Sequence, residues 1–177
     1  GVSMEGTIGH IKSALDSIFN HPNVAPFVSR RLIQRLVASN PSPAYIQRVA
    51  QVFENNGSGM RGDLKSVGHA ILTDPEARSA STGKPREPLL RLSAVWRAFD
   101  ASATSLRYNY AHPEYDFFQA ALRSPSVFNF FQPDFRAPGE VAAAGLYSPE
   151  FQIQNESQTM IMVNAMTRFV RAYYRGT

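Results

Sequence analysis

The sequence of 177 residues predicts an all-α protein, arranged as an irregular bundle of about six to seven helices. Two observations predict this class. Apolar residues recur with helical spacing in most segments, and no segment shows the strict apolar and polar alternation that is typical of a strand. Proline, asparagine and glycine lie at the boundaries between these segments. A long irregular segment rich in aromatic residues is predicted before the last helix.

The first predicted helix covers residues 7–19. Its apolar residues recur at intervals that place them on one side of a helix. They are Ile8, Ile11, Leu15, Ile18 and Phe19. Pro22 follows the helix and disfavours helical backbone at His21, which ends it.

The second predicted helix covers residues 24–39 and has two unlike halves on a helical wheel. The apolar half is predicted to face the core and contains Val28, Leu32, Ile33, Leu36 and Val37. The other half, here called the cationic face, consists of Arg30, Arg31, Gln34 and Arg35.

Capping residues predict where the next two helices begin. Ser42 followed by Pro43 is typical of a helix start and predicts a third helix over residues 43–55. A glycine-rich turn follows, and Asp63 can cap a fourth helix. The tripeptide Arg61-Gly62-Asp63 is known as an adhesion ligand, but before an amphipathic helix it is interpreted as a turn and a cap.

The second half of the chain begins with a polar segment at 79–85, which is predicted to be a flexible loop. Helices are predicted over residues 87–102, near 113–122 and from about 148 to 174. The aromatic segment before the last helix has two interpretations. It is either a platform on which sugar rings or nucleobases stack, or a loop pinned onto the helical core. Its aromatic residues are Phe128, Phe130, Phe131 and Phe135.

The composition fits a single helical domain over residues 1–177. Charged residues make up 18% of the chain, below the average of about 25% for soluble domains. Either a partner or a missing domain covers part of the surface, or uncharged polar residues take the place of charges. The start Gly1-Val2-Ser3-Met4 is unlike a native initiator, so the chain is expected to be a fragment of a larger helical protein.

Composition also bears on partners and cofactors. The net charge of +4 is spread along the chain, which allows an anionic ligand. Nucleic-acid binding is disfavoured because no recognition motif is present. The chain has no cysteine and no histidine spacing typical of a metal site, so neither a metal nor a cofactor is predicted. No segment approaches the roughly 18 apolar residues of a membrane span.

Five residues are candidates for ligand binding: His21, Arg30, Arg31, Arg35 and Arg86. Guanidinium groups on the cationic face suit phosphate, sulfate or carboxylate. The alternative is that these arginines pair with acidic residues of neighbouring helices or of a missing part of the protein.

The other two candidates have alternatives as well. His21 is either a general base or metal ligand, or a cap at a helix end. Arg86 and Glu87 either line the rim of a pocket or form a local pair in the first turn of a helix. No catalytic residue is predicted.

Five strings carry a resemblance to a known family: HPNVAPFVSRRLIQRLVASNPSPAYIQRVAQVF, NGSGMRGDLKSVGHAILTDPEAR, KPREPLLRLSAVWRAF, SPSVFNFFQPDF and GLYSPEFQI. Together they resemble the C-terminal half of the bacterial domain-of-unknown-function family numbered 1800. The resemblance implies a larger helical protein with a further N-terminal helical region. It also implies a periplasmic or secreted protein, encoded beside a second exported family.

Two functional hypotheses follow. The first is an interaction or scaffold module of an exported protein, whose partner is its own missing N-terminal half or the co-encoded exported protein. The alternative is a hydrolase or binding protein that acts on an anionic or carbohydrate polymer through the cationic face. The alternative predicts a cleft in which the arginines, His21 and a carboxylate converge.

Overall fold

A computed structural model describes residues 4–79, 83–102, 110, 112–127 and 129–174. Over these residues the protein is all-α, as predicted, with two 3₁₀ helices and no strand. The α-helices are α1 (Met4–Phe19), α2 (Val24–Leu36), α3 (Pro43–Glu54), α4 (Leu64–Thr73), α5 (Pro88–Ala98), α6 (Pro113–Phe117), α7 (Glu140–Ala143) and α8 (Glu156–Tyr174).

The chain forms two compact units, one ending at Gly83 and the other beginning at Lys84. The single domain over 1–177 and its origin as a fragment stay predictions. Part of the predicted loop at 79–85 lies outside the described residues, at positions 80–82. No helix in the described ranges has the length and apolar character needed to cross a membrane.

The first unit is built on α2, α3 and α4, which surround one apolar core. The buried members of this core are Ala25, Ile33, Tyr45, Val49, Ala50, Phe53, Val67 and Ile71. The hydroxyl of Tyr45 donates to the carbonyl of Ile71 at 2.6 Å, so its polar end is satisfied inside the core. Burial, followed by the charge of Asp74, raises the pKa of Tyr45 to about 12.

The predicted division of α2 into an apolar half that faces the core and a cationic half that faces away is partly wrong. Gln34 is buried, whereas Leu36 is exposed. The helix ends at Leu36 instead of Ser39, and the chain then turns back. The side-chain amide of Gln34 donates to the carbonyl of Ser39 at 3.1 Å, which gives the returning backbone a buried hydrogen-bond partner.

An ion pair fastens α3 to the end of α4. The guanidinium of Arg48 donates to both carboxylate oxygens of Asp74, at 2.7 and 2.8 Å. This bidentate bond holds the pKa of Asp74 below its usual range. Glu76 accepts from the backbone N–H and the hydroxyl of Ser42, at 2.9 and 2.6 Å. The Ser42 oxygen in turn caps α3 through the N–H of Tyr45, as predicted.

The second unit packs α5, α6 and α8 around a smaller core. Its buried apolar members are Leu92, Phe117, Met162 and Ala165. Half-buried side chains surround them: Leu89, Trp96, Tyr110, Met166 and Phe169. The ring of Tyr110 lies edge-on to Phe169 of α8, and the ring of Phe117 is stacked on Phe169.

Several boundaries in this unit differ from the prediction. The short helix ends at Phe117, because Phe118 adopts left-handed backbone with a φ of 56°. The predicted last helix is two elements, a 3₁₀ helix over Pro149–Ile153 and α8 from Glu156. The side chains of Asn155 and Gln158 each accept from the other's backbone N–H, which forms a capping box at the start of α8.

The aromatic segment belongs to the second unit. Phe131 is buried, and Phe130 and Phe135 are half-buried, whereas Phe128 lies outside the described residues. The carbonyl of Phe135 accepts from the N–H of Ser148 at 2.8 Å. These contacts agree with the interpretation of a loop pinned onto the core.

Asp63 caps α4, as predicted, and does so within a larger network. Its carboxylate accepts from the N–H groups of Lys65 and Ser66, at 3.1 and 3.3 Å. It also accepts from the side chains of Asn56 and Ser66, at 2.8 and 2.7 Å. These bonds, led by that of Asn56, lower the pKa of Asp63 to about 2.

We expect the first unit to lose stability as the pH falls from about 4 to about 2, because folding depresses the pKa of Asp63 to about 2. Above this window the carboxylate is charged in both states and its stabilisation is complete. A carbon-13 NMR titration of the Asp63 carboxyl should have its midpoint near 2.

The matched variant is Asp63→Asn, which keeps a capping oxygen but has no charge to titrate. Hydrogen exchange of the α4 amides should then depend less on pH over the same window. An Asp63 midpoint near that of a free aspartate, about 3.9, would contradict the network.

Candidate functional site

An apolar stripe runs along α1 and faces solvent. It consists of Met4, Ile8, Ile11, Leu15 and Ile18, whose side chains are 56 to 80% exposed. We call this stripe the α1 seam. Large apolar side chains in a row on a surface are typical of an interaction site, because single exposed ones are common and rows are not.

The spacing of the α1 seam alternates between four and three residues. In a heptad repeat this places Ile8 and Leu15 at position a, and Met4, Ile11 and Ile18 at position d. A stripe of a and d positions alone is narrower than the apolar face of a helix that packs onto a globular core. The α1 seam therefore has the shape of one side of a coiled coil.

Arg61 holds the end of α1 on the first unit. Its guanidinium donates to the carbonyl of Phe19, at 3.2 and 3.1 Å, and to that of His21 at 3.4 Å. The same group lies over the rings of Phe19 and Phe53, with its central carbon 5.5 and 5.3 Å from their centroids. Arg61 thus satisfies backbone carbonyls at the end of α1 and fixes where that helix ends.

Gly62 makes room for this contact. Its φ is +76°, and a Cβ atom at this position would lie 2.7 Å from Cζ and 2.9 Å from Cε2 of Phe19. Only glycine combines left-handed backbone with so close an approach of an aromatic ring. The tripeptide Arg61-Gly62-Asp63 therefore forms the turn and cap that the sequence predicts.

His21 lies at the junction between α1 and α2. Its Nδ1 accepts from the backbone N–H of Asn23 at 3.2 Å, one residue before α2 begins. This is a local bond in the turn between the two helices, and it does not reach the first-turn N–H groups of α2 that a cap would bind. The side chain is exposed.

The arginines of the cationic face differ in their surroundings. Arg31 is half-buried, donates to Oε1 of Gln34 at 3.2 Å and lies over the ring of Phe27 at 5.3 Å. Arg30 is half-buried and Arg35 is exposed. The structure thus keeps these arginines together on α2, while His21 stands apart before the first turn of that helix.

Arg86 belongs to the second unit, where its side chain is exposed. Its backbone carbonyl accepts from Nε of Arg91 at 2.9 Å and from the amide of Gln154 at 3.5 Å. The position therefore helps to orient Arg91.

A buried polar cluster lies beside Arg86. Nζ of Lys84 is 3.0 Å from Oε1 of Glu150 and 3.6 Å from Oε1 of Glu87. Gln119 donates to Glu87 at 2.9 Å and accepts from the N–H of Leu89 at 3.2 Å. The Glu150 side chain is only 1% exposed, so solvent does not reach it. We interpret this cluster, which sequence reasoning missed, as structural.

The described residues thus bring the predicted candidates together only in part. Within the described ranges no three histidine, aspartate or glutamate side chains gather as a metal site requires. Sequence reasoning found Ile8, Ile11, Leu15 and Ile18 as one side of a helix but assigned them no function, and it began that helix at residue 7, after Met4. The exposure of these side chains was the missing observation, because the same spacing occurs on a helix that packs onto a core.

Fold and site define an all-α protein with an exposed apolar stripe of heptad spacing on α1. The chain matches the family described as "Protein of unknown function (DUF1800)" over residues 3–175. The protein belongs to this family, which confirms the family resemblance of its sequence. No curated protein and no solved structure matches the chain.

We expect Gly62→Ala to destabilise the first unit by about 1–3 kcal/mol, because the new Cβ both strains the backbone and displaces Phe19. Hydrogen exchange of the α1 and α3 amides should report the loss. Gly68→Ala is the matched control, since a Cβ there meets open space within a helix. That change should stabilise the protein by up to about 1 kcal/mol. Equal protection in the Gly62 variant and the unmodified chain would refute the contact.

We expect Lys84→Met to destabilise the second unit by about 3–5 kcal/mol, because it leaves two buried carboxylates facing each other. Urea unfolding followed by the emission of Trp96, the chain's single tryptophan, measures the loss. The double variant Lys84→Met/Glu150→Met should be less destabilised than Lys84→Met alone, since it also removes one of the two buried carboxylates that lose the ammonium group of Lys84. If the loss of stability in the double variant equals the sum of the losses in Lys84→Met and Glu150→Met, Lys84 and Glu150 do not interact.

Proposed function

We propose that the chain is an interaction module of an exported protein, and that it docks an amphipathic helix of its partner on the α1 seam. The observation that carries this proposal is the row of five exposed side chains at heptad positions on α1. Partners suggested by the family resemblance are the remainder of a longer chain and a co-encoded exported protein.

The heptad spacing supports a helix as the partner element. Knobs at positions a and d fit holes formed by four residues of a facing helix, and a strand or an irregular loop offers no such holes. α1 has 16 residues, which corresponds to a length of about 24 Å and to two complete heptads. A partner helix of similar length can therefore cover the whole seam.

The neighbours of the seam bear on the charge of the partner. The e positions of α1 are Glu5, Lys12 and Phe19, and the g positions are Thr7 and Ala14. Since charges at e and g select coiled-coil partners, glutamates at these positions of the partner would be accepted beside Lys12. The contact that Arg61 makes with the end of α1 fixes this helix in advance, which lowers the cost of ordering it on binding.

The alternative, action on an anionic or carbohydrate polymer through the cationic face, stays a hypothesis. The contacts of the described residues favour the interaction module. Arg31 donates within its own helix, Arg48 is bound to Asp74, and Arg61 binds backbone carbonyls. His21 accepts a bond from the N–H of Asn23 in the turn before α2.

The test uses a synthetic three-heptad peptide with isoleucine at a, leucine at d and glutamate at e and g. The glutamates keep the peptide from pairing with itself, because like charges repel across a coiled coil. Isothermal titration calorimetry should show binding to the 177-residue chain, and circular dichroism should show a gain of helix.

We expect Ile11→Asp to weaken this binding by at least about tenfold, because it places a charge in the seam where an apolar side chain is worth about 1.5–3 kcal/mol. Ser13→Asp is the matched control: it adds the same charge two positions away, outside the a and d positions. Equal weakening by both substitutions would contradict docking on the seam. A peptide that fails to bind the unmodified chain would overturn the proposal.

A further inference from the structure

A cavity of about 440 Å³ lies between α5 and α8 in the second unit. Its α8 wall is formed at intervals of four residues by Met162, Met166 and Val170, with Val163 beside them. This volume lies in the range of small-molecule sites, about 300–1,000 Å³. The cavity is independent of the α1 seam, which belongs to the first unit.

The lining of the cavity is apolar and adaptable. Met162 is buried at the floor, Met166 is half-buried, and Val163 is half-exposed at the opening. Methionine side chains are flexible and polarisable, so they fit apolar groups of varied shape. An unbranched hydrocarbon chain is a group of this kind.

Two arginines, Arg91 and Arg171, complete this mainly apolar lining. The lining residues in the described part of the chain include no carboxylate. An apolar cavity with cations and no anion is complementary to an apolar ligand that carries a negative charge.

The guanidinium of Arg91 is held in place by its neighbours. Its Nε donates to the carbonyl of Arg86 at 2.9 Å, and one Nη donates to Oε1 of Gln154 at 2.9 Å. These bonds use two of the five N–H groups of an arginine. A fixed guanidinium loses little freedom when it binds a carboxylate, which favours recognition of that group.

We propose that this cavity binds a single-chain amphiphile with a carboxylate head, such as a long-chain fatty acid. The hydrocarbon chain lies against Met162, Met166 and Val170, and the carboxylate accepts hydrogen bonds from Arg91 and Arg171. An acidic amphipathic peptide would satisfy the same charges. We favour the fatty acid because a cavity of this size encloses a small ligand, whereas a helix covers a longer groove.

The chain contains its own reporter for this ligand. Trp96 lines a neighbouring cavity of about 220 Å³, together with Val95, Phe99 and Phe169, and the two cavities share Val170. The emission of this single tryptophan should therefore change when the first cavity fills.

The test is a titration of the full chain with laurate below its micelle concentration, followed by Trp96 emission and by calorimetry. Dodecanol, with the same chain length and no charge, should bind at least about tenfold more weakly, since a charge-assisted bond contributes about 1.5–3 kcal/mol. Equal binding of the two would overturn the carboxylate assignment. Absence of laurate binding, or saturation only by an acidic helical peptide, would overturn the proposal.

Substitutions in the cavity test whether laurate binds there. Arg171→Gln should weaken laurate binding about tenfold, and Arg97→Gln, on the exposed face of α5, should leave it unchanged. Val163→Glu puts a like charge at the opening without disturbing a buried side chain, and should abolish binding while the urea midpoint is kept. Unchanged binding in both Arg171→Gln and Val163→Glu would show that laurate binds elsewhere.

Discussion

The guanidinium of Arg61 is the contact on which the presentation of α1 depends. It binds carbonyls at the end of α1 and lies over the ring of Phe19 on that helix and the ring of Phe53 in the core. None of the described side chains of α1 belongs to the buried core of the first unit, so the position of the helix rests on this end. Exposure of the apolar α1 seam to water is unfavourable, because burial of apolar surface contributes about 25 cal/mol of free energy for each Å². Docking of a partner helix recovers this free energy.

Local signals in the sequence predicted much of the fold. The bonds by which Ser42 and Asp63 cap their helices reach residues three positions away or fewer, so a sequence motif contains each capping interaction. Gln34 escaped prediction because its partner is the carbonyl of Ser39, which lies beyond a turn that the helical wheel ignores. Lys84 escaped for the stronger reason that Glu150, its nearest carboxylate, lies 66 positions away and meets it only in the folded unit.

The candidate sites divide in the same way. The α1 seam was present in the sequence as a spacing, and the structure added that its side chains are exposed. The arginines of α2 were visible as a charge pattern, but their roles depend on contacts such as Arg31 with Phe27 that charge alone does not reveal. The cavity beside α8 could not be predicted, because Arg91 reaches it from another helix and is oriented by a backbone carbonyl. Charged residues make up only 18% of the chain. Both proposals fit this low share, since each assigns an apolar surface to a partner or a ligand.

The turn before Asp63 has a consequence for the chemical lifetime of the protein. Asn56 precedes a glycine, the sequence in which an asparagine most readily loses its amide by attack of the next backbone nitrogen. In the folded turn Oδ1 of Asn56 accepts from the N–H groups of Ser58 and Met60, and its amide donates to Asp63. The N–H of Gly57 is itself bonded to Asn55, so the attacking atom and its target are both held. Ageing of this asparagine therefore proceeds only as fast as the turn opens, and the combined accumulation of aspartate and isoaspartate at position 56 becomes a clock for that opening.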